Sequence, residues 1–97
     1  MAEEKIGHVI LLISCPDRKG IVARVSSFIL SKGGNILQSD QYTTDPKNGV
    51  FFLRVEFDLS DVSIRRTDLE GEFGRLATEF KMDWSITYPQ DTKRMAI

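Results

Sequence analysis

Residues 14–23 read Ser14-Cys15-Pro16-Asp17-Arg18-Lys19-Gly20-Ile21-Val22-Ala23. The stretch joins an apolar strand to an amphipathic helix through a charged turn. Pro16 is expected to stop the strand, because proline donates no hydrogen bond to a sheet ladder. Asp17 stands where a side chain can cap the helix. The first N–H groups of any helix lack intrahelical partners, and with the helix dipole they favour an anion such as a carboxylate. Gly20 has no Cβ, so a ligand or a second backbone could come close to it. An isolated Asp-x-x-Gly is far more often a well-made turn than a site, so its meaning depends on the flanks.

Upstream, residues 8–14 (His-Val-Ile-Leu-Leu-Ile-Ser) do not alternate. Apolar side chains on both faces imply a central strand. Downstream, Ile21, Val25, Phe28 and Ile29 recur at the spacing of one helical face, which predicts a helix over 21–32. Gly33-Gly34 should end it. Residues 35–43 read as a more polar edge strand, and Asp45-Pro46-Lys47-Asn48-Gly49 as a hairpin turn. Residues 50–58 alternate, with Phe51, Leu53, Val55 and Phe57 on one face and Phe52, Arg54 and Glu56 on the other. A polar loop over 60–66 precedes a second helix, with Thr67 and Glu70 as a capping box. Its apolar stripe is Leu69, Phe73, Leu76, Ala77 and Phe80, and Gly71 and Gly74 should weaken it. A last strand over 83–88 carries Trp84, Ile86 and Tyr88 on one face. Residues 1–7 read as frayed.

The order strand, helix, strand, strand, helix, strand implies a ferredoxin-like α+β sandwich. It has a four-stranded antiparallel sheet with two helices on one face. Right-handed crossovers place the first and third strands in the middle. The other face of an apolar first strand is then left uncovered, which implies a dimer or a second domain packed on the sheet.

A chain of 97 residues with 28% charged residues and a net charge of −1 suits one globular domain with interspersed charges. Nothing in it suggests a polyanion-binding or membrane-binding surface. The comparison with RNA-binding sandwiches fails because, of Phe51 and Phe52, only Phe52 could be offered for stacking, Glu56 lies beside it and a basic patch is missing. The single cysteine, Cys15, allows no internal disulfide and fits a reducing cytoplasm. Neither a signal peptide nor a spanning segment is read here. No catalytic constellation, metal site or cofactor site is expected. His8 lies seven residues from Cys15, roughly 20 Å along an extended strand. It could not serve that thiol as a base.

Two segments resemble the ACT domain family of amino-acid-binding regulatory modules. They are Asp17-Arg18-Lys19-Gly20-Ile21 at the first helix and Gly33-Gly34-Asn35-Ile36 at the second strand. The resemblance covers 1–89. It implies a ligand site formed by Asp17, Lys19, Gly20, Ile21, Val22, Asn35 and Ile36, at an interface between two such domains. Residues 14–22, 34–36, 51–57 and 80–84 further resemble the amino-terminal domains of formyltetrahydrofolate deformylases, which hydrolyse 10-formyltetrahydrofolate to formate and tetrahydrofolate for purine synthesis. That resemblance implies glycine or methionine as ligand, no cofactor, and residues 90–97 as a linker or the start of a formyltransferase-like catalytic domain. The family's catalytic residues belong to that second domain, so none is carried over. The alternative is a free-standing ACT protein that binds an amino acid or a protein partner.

Overall fold

The computed structural model describes residues 4–44 and 49–89. The hairpin turn over 45–48 and the segment 90–97 lie outside the described residues. A short strand β1 (Glu4–Lys5) leads into β2 (His8–Pro16) and helix α1 (Ile21–Ser31). The hairpin partners β3 (Asn35–Thr43) and β4 (Val50–Asp58) follow. Then come β5 (Ser63–Ile64), helix α2 (Arg66–Phe80) and β6 (Asp83–Thr87). The main sheet has the order β3-β4-β2-β6, all antiparallel, with β2 and β4 in the centre. Both helices pack on one face, as the element order predicts.

Alternation decides which side chains meet the helices. Val9, Leu11, Ile13 and Cys15 of β2 and Phe51, Leu53, Val55 and Phe57 of β4 are buried beneath them. Ile21, Val25, Phe28 and Ile29 of α1 and the five apolar residues of the α2 stripe close over that layer. Phe73 is fully buried, edge-on to Phe28 at 5.4 Å and to Trp84 at 5.0 Å. Burying each such side chain contributes about 1.5–3 kcal/mol. Ion pairs Lys32–Glu72 and Arg24–Glu79 tie the exposed sides of the two helices together.

Helix α1 ends as its glycines require. Gly33 takes a positive φ of 82°, its N–H donates to Leu30 O at 3.0 Å, and the Gly34 N–H donates to Ile29 O at 3.0 Å. This crossed pair of bonds satisfies carbonyls that the last turn would leave open.

Four expectations are corrected. The first strand runs past Ser14 to Pro16, which pairs with Val50 and, as expected, ends it; at a strand end a missing N–H costs no ladder bond. Asp17 does not cap α1: the cap is Gly20, with no side-chain hydrogen bond. Thr67 and Glu70 form no capping box, because α2 already starts at Arg66 and Glu70 accepts a 2.7 Å hydrogen bond from the Tyr88 hydroxyl instead. The frayed start and the polar loop pair with each other as β1 and β5, and Ile6 between β1 and β2 is only 2% exposed. Two-residue strands leave no periodicity to read, so only the tertiary packing reveals them. Gly71 and Gly74 lie inside α2, as read from the sequence, and the helix is continuous over its 15 residues.

Candidate functional site

The turn between β2 and α1 projects from one end of the sheet. Pro16, Asp17, Arg18, Lys19 and Gly20 are all exposed. Gly20 has φ 87° and ψ 0°, and a Cβ built there would meet nothing within 4 Å. The first intrahelical bond runs from the Arg24 N–H to Gly20 O at 2.9 Å. The earlier N–H groups of α1 therefore have no acceptor within the helix and no side-chain cap. Ile21 is buried and Val22 packs on the core, so each can offer a ligand only its backbone or a flank. The Arg18 guanidinium stands 4.5 Å from the Phe80 ring centroid, which draws this turn toward the end of α2. Beneath the turn, burial and then the Asp17 charge push the Cys15 thiol up, against the opposing pull of Arg18. A thiol so held is a core side chain rather than a nucleophile.

Asn35 and Ile36 occupy the other end of the sheet. Asn35 is registered with Asp58, and Asp58 with His8, whereas Cys15 is registered with Phe51, and Phe51 with Thr43. The nine residues of β2 span the gap, which is roughly 26 Å at strand rise. Asn35 is exposed, and Ile36 is half-buried against the core. One chain thus brings Asp17, Lys19, Gly20, Ile21 and Val22 together and holds Asn35 and Ile36 a sheet length away. A small molecule cannot touch both groups within a single copy.

β3 is an edge strand, exposed along its length except at Ile36. A register shift between Ile36 and Gln38 leaves Leu37 as a bulge, 53% exposed. Apart from that irregularity the outer edge of β3 is open to pairing with another strand.

The uncovered face of the sheet, for which the sequence implied a dimer partner or a second domain, carries a second feature of which the sequence reading named only Phe52. Leu12, Tyr42 and Phe52 floor a depression of about 660 Å³, rimmed by Asp40, Arg54 and Asp83. The Tyr42 and Phe52 rings stack at 5.0 Å. The missing periodicity of β2 was its available signal. On the same face Arg54 Nη1 lies 2.6 Å from Glu56 Oε2, and His8 Nε2 lies 3.0 Å from Glu56 Oε1. The Arg54 hydrogen bond, helped by His8, holds the Glu56 carboxyl below its usual range against partial desolvation.

Among the described residues no group of three or more His, Cys, Asp or Glu could hold a metal ion, and no helix is long and apolar enough to cross a membrane. The sheet order and the one-sided helices define a ferredoxin-like α+β sandwich with an open edge and an uncapped strand-to-helix turn. Residues 9–74 match the ACT domain family, and the chain belongs to that family.

Among curated proteins, the formyltetrahydrofolate deformylase of Bacillus subtilis is 48% identical over 87 residues, covering 90% of this chain and 29% of that protein. The deformylase of Synechocystis is 38% identical over 87 residues, with 90% and 30% covered. A solved formyltetrahydrofolate deformylase from Burkholderia mallei superposes with TM-score 0.75 at 28% identity, over 84% of this chain and 28% of that one. An ACT domain protein from Streptococcus pneumoniae superposes with TM-score 0.71 at 26% identity, over 90% of each chain. The chain spans less than a third of the length of these deformylases.

Proposed function

We propose that this chain is the amino-acid-sensing and dimerisation module of a cytoplasmic formyltetrahydrofolate deformylase, an enzyme that hydrolyses 10-formyltetrahydrofolate to formate and tetrahydrofolate. The observation that carries the reading is the 48% identity to the Bacillus subtilis deformylase across 90% of this chain. The module contributes no catalytic group. It senses, and a formyltransferase-like domain elsewhere in the polypeptide, approached through 90–97, reacts.

Geometry supports pairing as a condition of sensing. Two copies joined antiparallel along their open β3 edges would be related by a two-fold axis. That axis carries Asn35 and Ile36 of one copy to the sheet end where the turn of the other copy lies. The ligand's carboxylate would take the N–H groups at Gly20 and Ile21, which suit an anion. Asp17 and Asn35 would take its ammonium. Glycine and methionine are the amino acids to try first.

The test is a melting curve with and without each amino acid. Saturation at a hundred times the dissociation constant should add about 2.7 kcal/mol, a shift of many degrees for a domain of this size. Asn35→Ala should abolish the shift and leave the unliganded melting temperature within about two degrees, since exposed substitutions cost little. A flat response from folded, dimeric protein refutes the sensing reading. The second reading is a free-standing ACT protein, favoured by the end-to-end match with the Streptococcus pneumoniae chain. A native polypeptide of 11.0 kDa would select it.

A further inference from the structure

The uncovered sheet face is apolar at its centre and acidic around it. Leu12 is 43% exposed and Tyr42 63% exposed. Alternation puts Asp40, Glu56, Asp58 and Asp83 on this face. Among the described residues the opposing charges there are Arg54, already engaged by Glu56, and the titratable His8. Asp40 and Asp83 have no ion pair among the described residues.

We propose that this face docks a lysine- and arginine-bearing surface of a further domain on the same polypeptide, with an apolar side chain of that domain seated over Leu12, Phe52 and Tyr42. The proposal rests on the reading of the chain as one module of a deformylase-length protein. Charge selects the occupant. A second copy stacked face to face would set four carboxylates and one guanidinium against the same group, which is repulsive. Nucleic acid and anionic lipid are repelled for the same reason.

The source follows from size. Separate proteins that associate stably bury about 800 Å² each, more than one shallow depression supplies. A tethered domain acts at high effective concentration and needs less contact. The matched relatives extend to more than three times the matched length, so in them such a domain has room. In a chain of that length the polypeptide leaves from β6, the strand bordering this face. β3 belongs to both surfaces: its edge is open to another copy, while Asp40 and Tyr42 look onto the docking face. Ligand-driven pairing at the edge therefore acts on a strand that the docked domain touches.

The experiment uses the native full-length polypeptide and has three readouts. Intact mass comes first: a mass equal to the 97 residues overturns the parent reading and this occupant together. On a longer chain, zero-length carbodiimide coupling should join Asp40 or Asp83 to lysines of the further domain. Coupling only to lysines within residues 1–97, or none on this face, overturns the docking while leaving the parent reading intact. The pair Asp40→Lys and Asp83→Lys should raise the rate of proteolysis between the domains about tenfold, as the undocked population rises. Asp61→Lys, in the exposed turn after β4 and outside the sheet register, should not. A paired variant that melts like the parent yet cleaves at the parent rate refutes the proposal. If the paired variant fails to fold, the coupling result on the parent decides.

Discussion

Gly20 and Gly33 both adopt positive φ, 87° and 82°, yet they answer different demands. A Cβ at Gly20 meets open space, whereas one at Gly33 lies 2.7 Å from Val62 Cγ2. Gly20→Ala should therefore cost only the backbone strain of an L-residue there, about 1–2 kcal/mol. Gly33→Ala adds overpacking against a stiff β-branched side chain, a further 1–3 kcal/mol or so. Urea melts of the two variants measure the difference, and equal losses would mean that Val62 yields. Glu56 gives a pH signature. Its folded carboxyl is held below the usual range by Arg54 and His8. The stabilisation is present above the ordinary glutamate value of about 4.3 and is lost as pH falls from there through the lowered folded value. Glu56→Gln should flatten the stability profile in that acid window and leave its shape near neutrality unchanged. An unaltered acid limb in the variant would show that other carboxylates dominate.

At the scale of elements, residues whose neighbours share their period were legible and isolated ones were not. The β4 alternation and both helical stripes each repeat a period over nine or more residues, and each was read with the correct inward face; β2 was legible as a central strand from its apolar run alone. The α1 stop was legible because two glycines in succession leave few alternatives. The capping assignments failed because a cap depends on one side chain reaching one N–H, and Glu70 found Tyr88 instead. β1 and β5 failed because two residues carry no period. Their effect is nonetheless large: they hold Ile6 in the core at 2% exposure. Ile6→Ala should destabilise by about 2–5 kcal/mol, measured by denaturant melts. A frayed amino terminus would instead make the change neutral.

For the whole molecule, the candidate site divides where the sheet is longest. Each half was legible as a local motif, the turn at Asp17–Gly20 and the strand start at Asn35–Ile36. Their separation was not, because it follows from antiparallel register across three strands. Pairing through β3 makes hydrogen exchange informative. Amides of β2 and β4 are flanked on both sides and should exchange slowest at any concentration. Those on the open edge of β3 should exchange fast in dilute protein and slow several-fold where dimer forms. Rates independent of concentration would count against edge pairing.

The sequence by itself determined the fold class, the central pair of strands, the inward faces of both helices and the family, because these rest on periods and motifs repeated along the chain. The tertiary structure alone decided where Asn35 lies relative to Asp17, which groups share the uncovered face, and how Ile6 is enclosed. Those are relations between residues distant in sequence, and strand register and packing set them.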